Sequence, residues 1–348
     1  MSGRKSRLLR GLIVLGFLTL LVLYHNLSRP KSGSLRIMFY NVENLFDTKN
    51  NPQKEDDDFT PWGSMRWTEP RYWKKLEDIS QVIISVGGNM PPAVIGLCEV
   101  ENQKVLEDLV LETDLYKYQY EFVVTNSADR RGINVGLLFR PAYFSVIDTA
   151  VYTPHIQGAV VRDIMHVVGK IGGDTLDVFV CHFPSRKVGL EKSEPQRIAC
   201  AELLKSKTDS LMRMRKYPNI LIMGDFNDFP DNRSIYDVIG AKSREGGVLP
   251  GDLYNLFYDN RENEHSSSYK FQDKWGCFDQ FIVNGKLLDE NARLSIKSGK
   301  AAVYRDSLIL EPDRKYGGEK TFKTYSGTKY GGGVSDHLPI YLDLQIAD

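Results

Sequence analysis

Cysteine is scarce in this sequence, and the spacing of the few cysteines argues against both a zinc-thiolate site and a disulfide framework. The chain of 348 residues has four cysteines, Cys98, Cys181, Cys200 and Cys277, and none of them forms a CxxC pair. Thiolate zinc sites and disulfide frameworks both need closely grouped cysteines, so neither is expected here. Cys98 and Cys181 each end an apolar run, which predicts that they are buried as small hydrophobic side chains.

The sequence also lacks a net charge, but this balance conceals an asymmetry. Lysine and arginine together number 45, and so do aspartate and glutamate. Six of the basic residues and none of the acidic ones lie in residues 1–31, which leaves 39 basic against 45 acidic residues, a net charge of −6, for the rest. A mildly acidic body does not favour a protein that holds nucleic acid through its phosphates. It suits a site in which bound metal ions supply the local positive charge.

Residues 1–31 form a basic region followed by an apolar run, Gly11–Tyr24, of 14 residues. A signal peptide has a shorter apolar core, and a membrane-spanning helix needs about 20 residues. Neighbouring leucines, with Arg10 snorkelling to the interface, bring the run close to spanning length. No small-residue cleavage pattern follows Tyr24, so the sequence favours an uncleaved membrane anchor; a cleaved signal and secretion are the alternative. More positive charge precedes the run than follows it, which predicts that the body lies on the periplasmic or extracellular side.

Residues 32–348 show no internal repeat, low-complexity tract or break in composition, and they are predicted to be one domain. Helices are expected from Thr68, as N-cap, toward Val86, over Val100–Leu111, and from Ser193, where Gln196 completes a capping box. Mixed strands and helices without a strict βαβ rhythm predict an α+β fold with two sheets packed together and helices outside. The predicted strands are Leu35–Tyr40, Pro92–Cys98, Tyr120–Thr125, Asn134–Phe139, Val160–Val168, Leu176–Cys181, Asn219–Met223, Phe278–Val283 and Ile340–Leu344.

Several of these strands stop at a carboxylate, a carboxamide or an imidazole. A single Asp or Asn after a strand is usually a turn former, but six such ends with metal-ligand and acid–base side chains indicate a functional edge. Two side chains at positions i and i+2 of an extended segment point to one side, so Asp225 and Asn227 are expected to reach one phosphate. The residues at these ends are Asn41, Glu43, Glu99, His182, Asp225, Asn227, Asp279, Asp336 and His337.

Six motifs in order resemble the motif series of the endonuclease/exonuclease/phosphatase superfamily, which includes DNase I-like nucleases, inositol polyphosphate phosphatases and neutral sphingomyelinases. The resemblance runs from about Leu35 to the C-terminus and implies a four-layer α/β/β/α sandwich. It also implies Mg²⁺ or Mn²⁺ and attack by water on a phosphoester. The motifs are IMFYNVENLFD from Ile37, IGLCEVEN from Ile95, VCHFPSR from Val180, LIMGDFND from Leu221, FDQFIVN from Phe278 and SDHLP from Ser335.

The resemblance implies a role for each residue of the edge. Glu99 and Glu43 are the expected metal ligands, with Asp336 as a further metal contact, because hard oxygen donors are those that Mg²⁺ prefers. His337 is the expected general base, oriented by Asp279. The remaining residues are expected to hold the water, the phosphate or the leaving group: Asp225 and Asn227 position the water and a phosphoryl oxygen, His182 acts on the leaving-group side, Asn41 binds the phosphate or holds Glu99, and the strand-borne Arg162 supports His182 or the phosphate.

The sequence leaves the substrate open among nucleic acid, a nucleotide, an inositol phosphate and a phospholipid headgroup, and it implies no protein partner. Repair enzymes that resemble exonuclease III usually have a tyrosine where this chain has His182, which makes an abasic-site role less favoured. A binding protein that uses the same scaffold without catalysis is the alternative from another functional class. The aromatic segment Asp56–Lys75 belongs to no motif; its aromatics either stack on a base or sugar or pack beneath a loop.

Overall fold

The computed structural model describes residues 33–156 and 158–347. The predicted membrane anchor or signal segment in residues 1–31 lies outside the described residues. Within the described part, no helix has the length and apolar character needed to cross a membrane.

Three long helices occur among the described residues: α1 (Glu69–Gly87), α2 (Gln103–Leu111) and α3 (Leu190–Met214). Helix α1 begins directly after Thr68 as predicted, although the Thr68 side chain makes no capping hydrogen bond. The capping box predicted at Ser193 is wrong, because α3 begins earlier, at Leu190 with Gly189 as its N-cap. The Ser193 hydroxyl lies inside the first turn and donates to the Gly189 carbonyl over 2.7 Å. Short helical segments are Asp57–Phe59, Asp114–Tyr118, Arg186–Val188, Ser234–Ile239, Tyr258–Asn260, Glu264–Ser266 and Gly285–Leu288.

The predicted strands are present, and further strands connect them. Asn134–Phe139 has the predicted bounds, whereas the strand predicted from Val160 begins only at Ile164, so Arg162 precedes it instead of lying within it. In chain order the strands are β1 (Gly33–Leu45), β2 (Val94–Val100), β3 (Glu121–Val124), β4 (Asn134–Phe139), β5 (Ser145–Tyr152), β6 (Ile164–Ile171), β7 (Asp174–His182), β8 (Asn219–Asp225), β9 (Ala241–Lys242), β10 (Leu253–Asn255), β11 (Tyr269–Phe271), β12 (Lys274–Gly276), β13 (Asp279–Asn284), β14 (Leu294–Val303), β15 (Leu310–Pro312), β16 (Glu319–Thr321), β17 (Tyr325–Ser326), β18 (Lys329–Tyr330) and β19 (Ile340–Ile346).

Two large mixed sheets hold most of these strands. The first has the order β14-β19-β1-β2-β4-β3 and the second the order β5-β6-β7-β8-β13-β10-β9. In the first sheet β1 pairs in parallel with β2 and antiparallel with β19. In the second, β7 and β8 are parallel while β13 runs antiparallel to β8. The carboxyl ends of β1, β2, β7 and β8 are the ends that the motif residues occupy.

Three apolar clusters define the layers. One lies between the two sheets and includes Phe39 of the first and Val178 of the second. The second packs the outer face of the first sheet against α1 and α2, and the third packs the second sheet against α3. All four cysteines are buried and free, as predicted for Cys98 and Cys181. The order helix, sheet, sheet, helix confirms the predicted α/β/β/α sandwich.

The aromatic segment Asp56–Lys75 mostly packs into the fold. Trp67 is fully buried and its indole N–H donates to the Phe46 carbonyl over 2.9 Å. The segment meets a second excursion, residues 304–334, which we call the strap: the Tyr325 hydroxyl donates to the Met65 carbonyl over 2.8 Å. Trp62 is the exception, with 96% of its surface exposed.

Candidate active site

The motif side chains meet where neighbouring strands end, and strand register brings three of them into one row. His182, the last residue of β7, pairs with Asp225, the last residue of β8. Asp225 pairs in turn with Asp279, the first residue of β13. Because residues paired on adjacent strands lie about 5 Å apart, the register alone makes a compact polar row. All three side chains are at least 96% buried.

The backbone at this edge adopts conformations that side-chain-bearing residues rarely occupy. Glu43, Asn44, Glu99 and Asn227 have φ angles of 49°, 52°, 63° and 50°. Each such conformation costs on the order of 1–3 kcal/mol and persists where the surrounding structure requires it. The left-handed turn at Asn227 also corrects the expectation of an extended Asp225–Asn227 segment. The Asn227 amide instead donates to the Phe183 carbonyl over 3.1 Å.

His337 and Asp279 form a buried hydrogen-bonded pair. Nδ1 of His337 lies 2.6 Å from an Asp279 carboxylate oxygen, which also accepts a hydrogen bond from the Ser268 hydroxyl. An ionised carboxylate only accepts, so Nδ1 carries the proton and Nε2 is the atom left to act on a substrate. Burial opposes the charge on the ring, yet Asp279 and Asp225 hold the pKa of His337 well above its ordinary value.

Asp225 is the central carboxylate of the site. It accepts from the Asn41 amide at 3.0 Å and from the Asn227 backbone N–H at 2.9 Å. Nε2 of His182 and Nε2 of His337 each lie 3.7 Å from the same Asp225 oxygen. Burial raises the pKa of Asp225 to about 7, against the opposing effect of His337. Asn41 therefore holds Asp225 and shows no hydrogen bond to Glu99 among the described residues.

His182 is held through its backbone. Arg162 donates to the His182 carbonyl over 3.1 Å and to the Phe183 carbonyl over 2.8 Å, so it supports the strand end and not the His182 imidazole. Burial, reinforced by the charge of Arg162, holds the pKa of His182 well below its ordinary value. Nδ1 of His182 is buried and has no hydrogen-bond partner among the described residues. A neutral imidazole with free ring nitrogens suits hydrogen bonding to a substrate oxygen.

Glu99 and Asp336 add oxygen donors beside this row. One Glu99 oxygen accepts from the Asn44 N–H at 2.8 Å, and the other lies 3.9 Å from Nε2 of His182. Burial opposes ionisation of Glu99, but Arg131 and Arg162 hold its pKa below the ordinary value. Burial raises the pKa of Asp336, whose carboxylate lies 4.0 Å from Nε2 of His337.

Glu43 joins the end of β1 to the strap. Its carboxylate oxygens accept from the backbone N–H groups of Thr324 and Tyr325 in the strap, at 2.8 and 3.3 Å. The buried Lys75 ammonium donates to the Glu43 carbonyl, to the Thr324 hydroxyl and to the Val334 carbonyl. Both Glu43 oxygens thus hold the strap, and the metal-ligand roles of Glu43, Glu99 and Asp336 stay predictions.

Three side chains that shape the site were not predicted from the sequence. Ser268 holds Asp279, Lys75 ties the end of β1 to the strap, and Arg131 contacts Asn44 beside Glu99. Ser268 lies in a plain Ser-Ser-Ser run, which carries no signal. For Arg131 the sequence offers one indication, because Arg130 and Arg131 form a basic pair before Gly132 in the connection between two predicted strands.

Three donor atoms at this edge are close enough to hold a metal ion. Asp225, Asp279 and His337 each bring one ligand atom to within 4.8 Å of the others. Within this trio His337 and Asp279 are already joined by the short hydrogen bond of 2.6 Å. Glu99 and Asp336 remain as hard oxygen donors next to it.

This arrangement of residues agrees with the sequence comparison. The profile described as "Endonuclease/Exonuclease/phosphatase family" matches residues 36–346, nearly the whole described chain. The chain belongs to the endonuclease/exonuclease/phosphatase family. Members of this family hydrolyse phosphoester bonds, and they generally do so with a divalent metal ion. No curated protein sequence matches the chain closely enough to add a relative.

Solved structures with the same fold come from animals and bacteria. TDP2 from Caenorhabditis elegans is 14% identical, with a TM-score of 0.55 over 90% of this chain and 75% of that one. An endonuclease/exonuclease/phosphatase family protein from Bacteroides thetaiotaomicron is 15% identical, with a TM-score of 0.55 over 91% and 99%. The mannosyl-6-phosphatase of the same bacterium is 15% identical, with a TM-score of 0.55 over 89% and 99%. At these identities the likeness establishes the fold alone.

Proposed function

We propose that this protein is a divalent-metal-dependent hydrolase in which His337 takes a proton from the water that attacks a phosphoester. The observation that carries the proposal is the buried His337–Asp279 pair, whose short hydrogen bond leaves Nε2 facing Asp225. An imidazole fixed in one tautomer by a carboxylate is the arrangement that general-base catalysis needs.

The other side chains then have defined tasks. Asp225, held by Asn41, accepts a hydrogen bond from the attacking water or positions it toward His337. Asn227 turns its amide from the Phe183 carbonyl to a phosphoryl oxygen, and His182 donates on the leaving-group side. Arg162 acts indirectly, because it fixes the His182 backbone. In this scheme each reacting group is placed by a second buried contact.

The residues fit a divalent cation. Burial raises the pKa of Asp225 and of Asp336, so a divalent cation beside them would favour their charged forms. We propose Glu99 and Asp336 as the ligands of Mg²⁺ or Mn²⁺, since such ions need only one or two carboxylates and keep several waters. When bound, the ion would polarise a phosphoryl oxygen and offset its growing charge. Its charge would also lower the pKa of His337 toward the range in which the ring accepts a proton.

The test is hydrolysis of 4-nitrophenyl phosphate and bis(4-nitrophenyl) phosphate by the purified full chain, with and without EDTA. We expect activity with Mg²⁺ or Mn²⁺, its loss with EDTA, and a loss of about 10²–10⁴-fold in Asp225→Asn and His337→Gln. Activity that survives EDTA would show that hydrolysis does not depend on a divalent metal ion. A folded chain that is inactive and shows no Mg²⁺ binding by calorimetry would favour a binding protein on the same scaffold.

The natural substrate is a narrower question. One structural neighbour, Danio rerio TDP2, was solved with a single-stranded DNA product, and another is a mannosyl-6-phosphatase. The net charge of −6 over residues 32–348 favours a small phosphoester over polymeric nucleic acid. A panel of DNA, RNA, nucleotides, sugar and inositol phosphates and sphingomyelin, assayed for metal-dependent turnover, decides between these classes.

We also propose that residues 1–31 tether the protein to the outer face of the cytoplasmic membrane, with secretion after cleavage as the alternative. The basic region ahead of the apolar run supports this orientation. Mass spectrometry of the mature N-terminus and protease accessibility in intact cells test the tether and its orientation.

A further inference from the structure

Arg131 is a half-buried cation at the site, and within residues 33–156 and 158–347 no carboxylate forms an ion pair with its guanidinium. Among the residues described, its guanidinium makes one hydrogen bond, from Nη1 to the Asn44 side-chain oxygen over 3.3 Å, and no ion pair. The neighbouring Arg130 shows the ordinary arrangement, because it is exposed and pairs with Glu55. A guanidinium has five N–H donors, so most of the donors of Arg131 remain available.

The contact with Asn44 places Arg131 beside the proposed metal ligand. The Asn44 backbone N–H donates to Glu99 over 2.8 Å, so Arg131 and Glu99 share one residue. Arg131 is also the largest favourable charge acting on Glu99 and the second arginine acting on His182. The free donors of Arg131 therefore lie within electrostatic reach of both sides of the phosphoester site.

The turn that carries Arg131 is held rigidly. Asp129 accepts from the Arg131 backbone N–H at 3.0 Å, and Lys54 donates to the Asp129 carbonyl at 2.9 Å. The Asp129 carboxylate lies 3.5 Å from Arg162, which fixes the His182 backbone. Gly132 ends the turn with a φ of +82°, a conformation that favours glycine. An arginine on a turn anchored in this way binds an anion at little entropic cost, because the backbone is already ordered.

We propose that Arg131 binds an anionic oxygen that a phosphomonoester has and a phosphodiester lacks, so that the protein acts on phosphomonoesters. The proposal rests on the proposed function. A diester offers two non-bridging oxygens and one negative charge, for which the metal, when bound, and the Asn227 amide would be the two partners, while His182 faces the leaving group. A monoester has a third oxygen and a further charge near neutral pH, and its partner must be an otherwise unpaired cation at the site.

The experiment compares Arg131→Met, Arg131→Lys and the matched control Arg130→Met in the full chain with saturating Mn²⁺. For 4-nitrophenyl phosphate we expect kcat/KM to fall about 10- to 100-fold in Arg131→Met, the value of a lost charge-assisted hydrogen bond. Hydrolysis of bis(4-nitrophenyl) phosphate should fall by a clearly smaller factor, because the diester has no third oxygen for Arg131 to hold and loses only the effect of Arg131 on Glu99. Arg131→Lys should keep part of the activity, because lysine keeps the positive charge but lacks the planar guanidinium that can donate two parallel hydrogen bonds. Arg130→Met should match the parent chain on both esters.

A second readout does not depend on turnover. Inorganic phosphate, titrated into the same variants by calorimetry, should bind about 10-fold or more weakly to Arg131→Met and normally to Arg130→Met. Equal losses on the two esters, or unchanged activity and phosphate binding in Arg131→Met, overturn the subsite. A parent chain that binds phosphate through Arg131 but hydrolyses neither ester keeps the subsite and refutes the catalytic proposal instead.

Discussion

Replacing Asp279 with asparagine tests how the buried pair works, because the change removes one charge with little change in shape. Asp279 is 1% exposed, and one of its oxygens takes both the His337 Nδ1–H at 2.6 Å and the Ser268 hydroxyl. The bond to His337 strengthens when the ring becomes charged during proton transfer. A charge-assisted hydrogen bond contributes about 1.5–3 kcal/mol, which corresponds to a loss of about 10- to 150-fold in kcat for Asp279→Asn.

The pH dependence of Asp279→Asn is a more specific test than the loss of kcat, because the direction of its shift is predicted. Catalysis needs His337 neutral before the step, and Asp279 raises the pKa of His337. Its removal therefore lowers that pKa, so the acid limb of the kcat/KM profile should move to lower pH while the plateau falls. Asp343→Asn is the control, because Asp343 pairs with Arg36 away from the site. An acid limb that stays in place or moves upward in Asp279→Asn, or an unchanged plateau, would refute the assigned roles.

Three further predictions concern the metal, the strap and the sheet beneath the site. Chelation with EDTA should abolish hydrolysis. Mn²⁺ at 100 times its Kd should stabilise the fold by about 2.7 kcal/mol, seen as a higher melting temperature. An unchanged melting temperature would contradict metal binding. Lys75→Met should lower the free energy of unfolding in urea by about 3–5 kcal/mol, because three buried acceptors lose their cation, whereas the exposed Lys74→Met should have little effect. Gly224→Ala places a Cβ 2.4 Å from the Cys181 carbonyl oxygen and should lower the free energy of unfolding by about 1–3 kcal/mol, seen as a lower melting temperature. Gly251→Ala is the control, because its Cβ would meet no described atom within 4 Å and the melting temperature should stay nearly unchanged.

The parts of this fold that follow from local pattern were predictable. A buried strand appears in the sequence as an apolar run, and for this reason both ends of Asn134–Phe139 are predicted correctly. The polar residues after such runs marked the site edge for the same reason, since they begin where burial of the strand ends. Helix starts were less secure: Ser193 and Gln196 have the spacing of a capping box, but Gly189 begins the helix one turn earlier.

The contacts that decide side-chain roles depend on distant parts of the chain. The sequence predicts Glu43 only as a metal ligand, whereas its oxygens also accept hydrogen bonds from Thr324 and Tyr325, about 280 positions away. Asn227 was placed on an extended segment, because a left-handed φ at a non-glycine residue has no clear sequence signal. The sequence does not distinguish Arg131 from Arg130, because only the folded chain pairs Arg130 with Glu55 and leaves Arg131 without a carboxylate partner among the described residues.

The most direct test of the central claim is hydrolysis of 4-nitrophenyl phosphate in ¹⁸O-labelled water, with mass spectrometry of the released phosphate. We expect one ¹⁸O atom to enter the phosphate at each turnover, turnover to need Mg²⁺ or Mn²⁺, and His337→Gln to slow it by about 10²–10⁴-fold. Label in the 4-nitrophenol, or a His337→Gln variant that turns over at the rate of the parent chain, would contradict attack on phosphorus by a water that His337 activates.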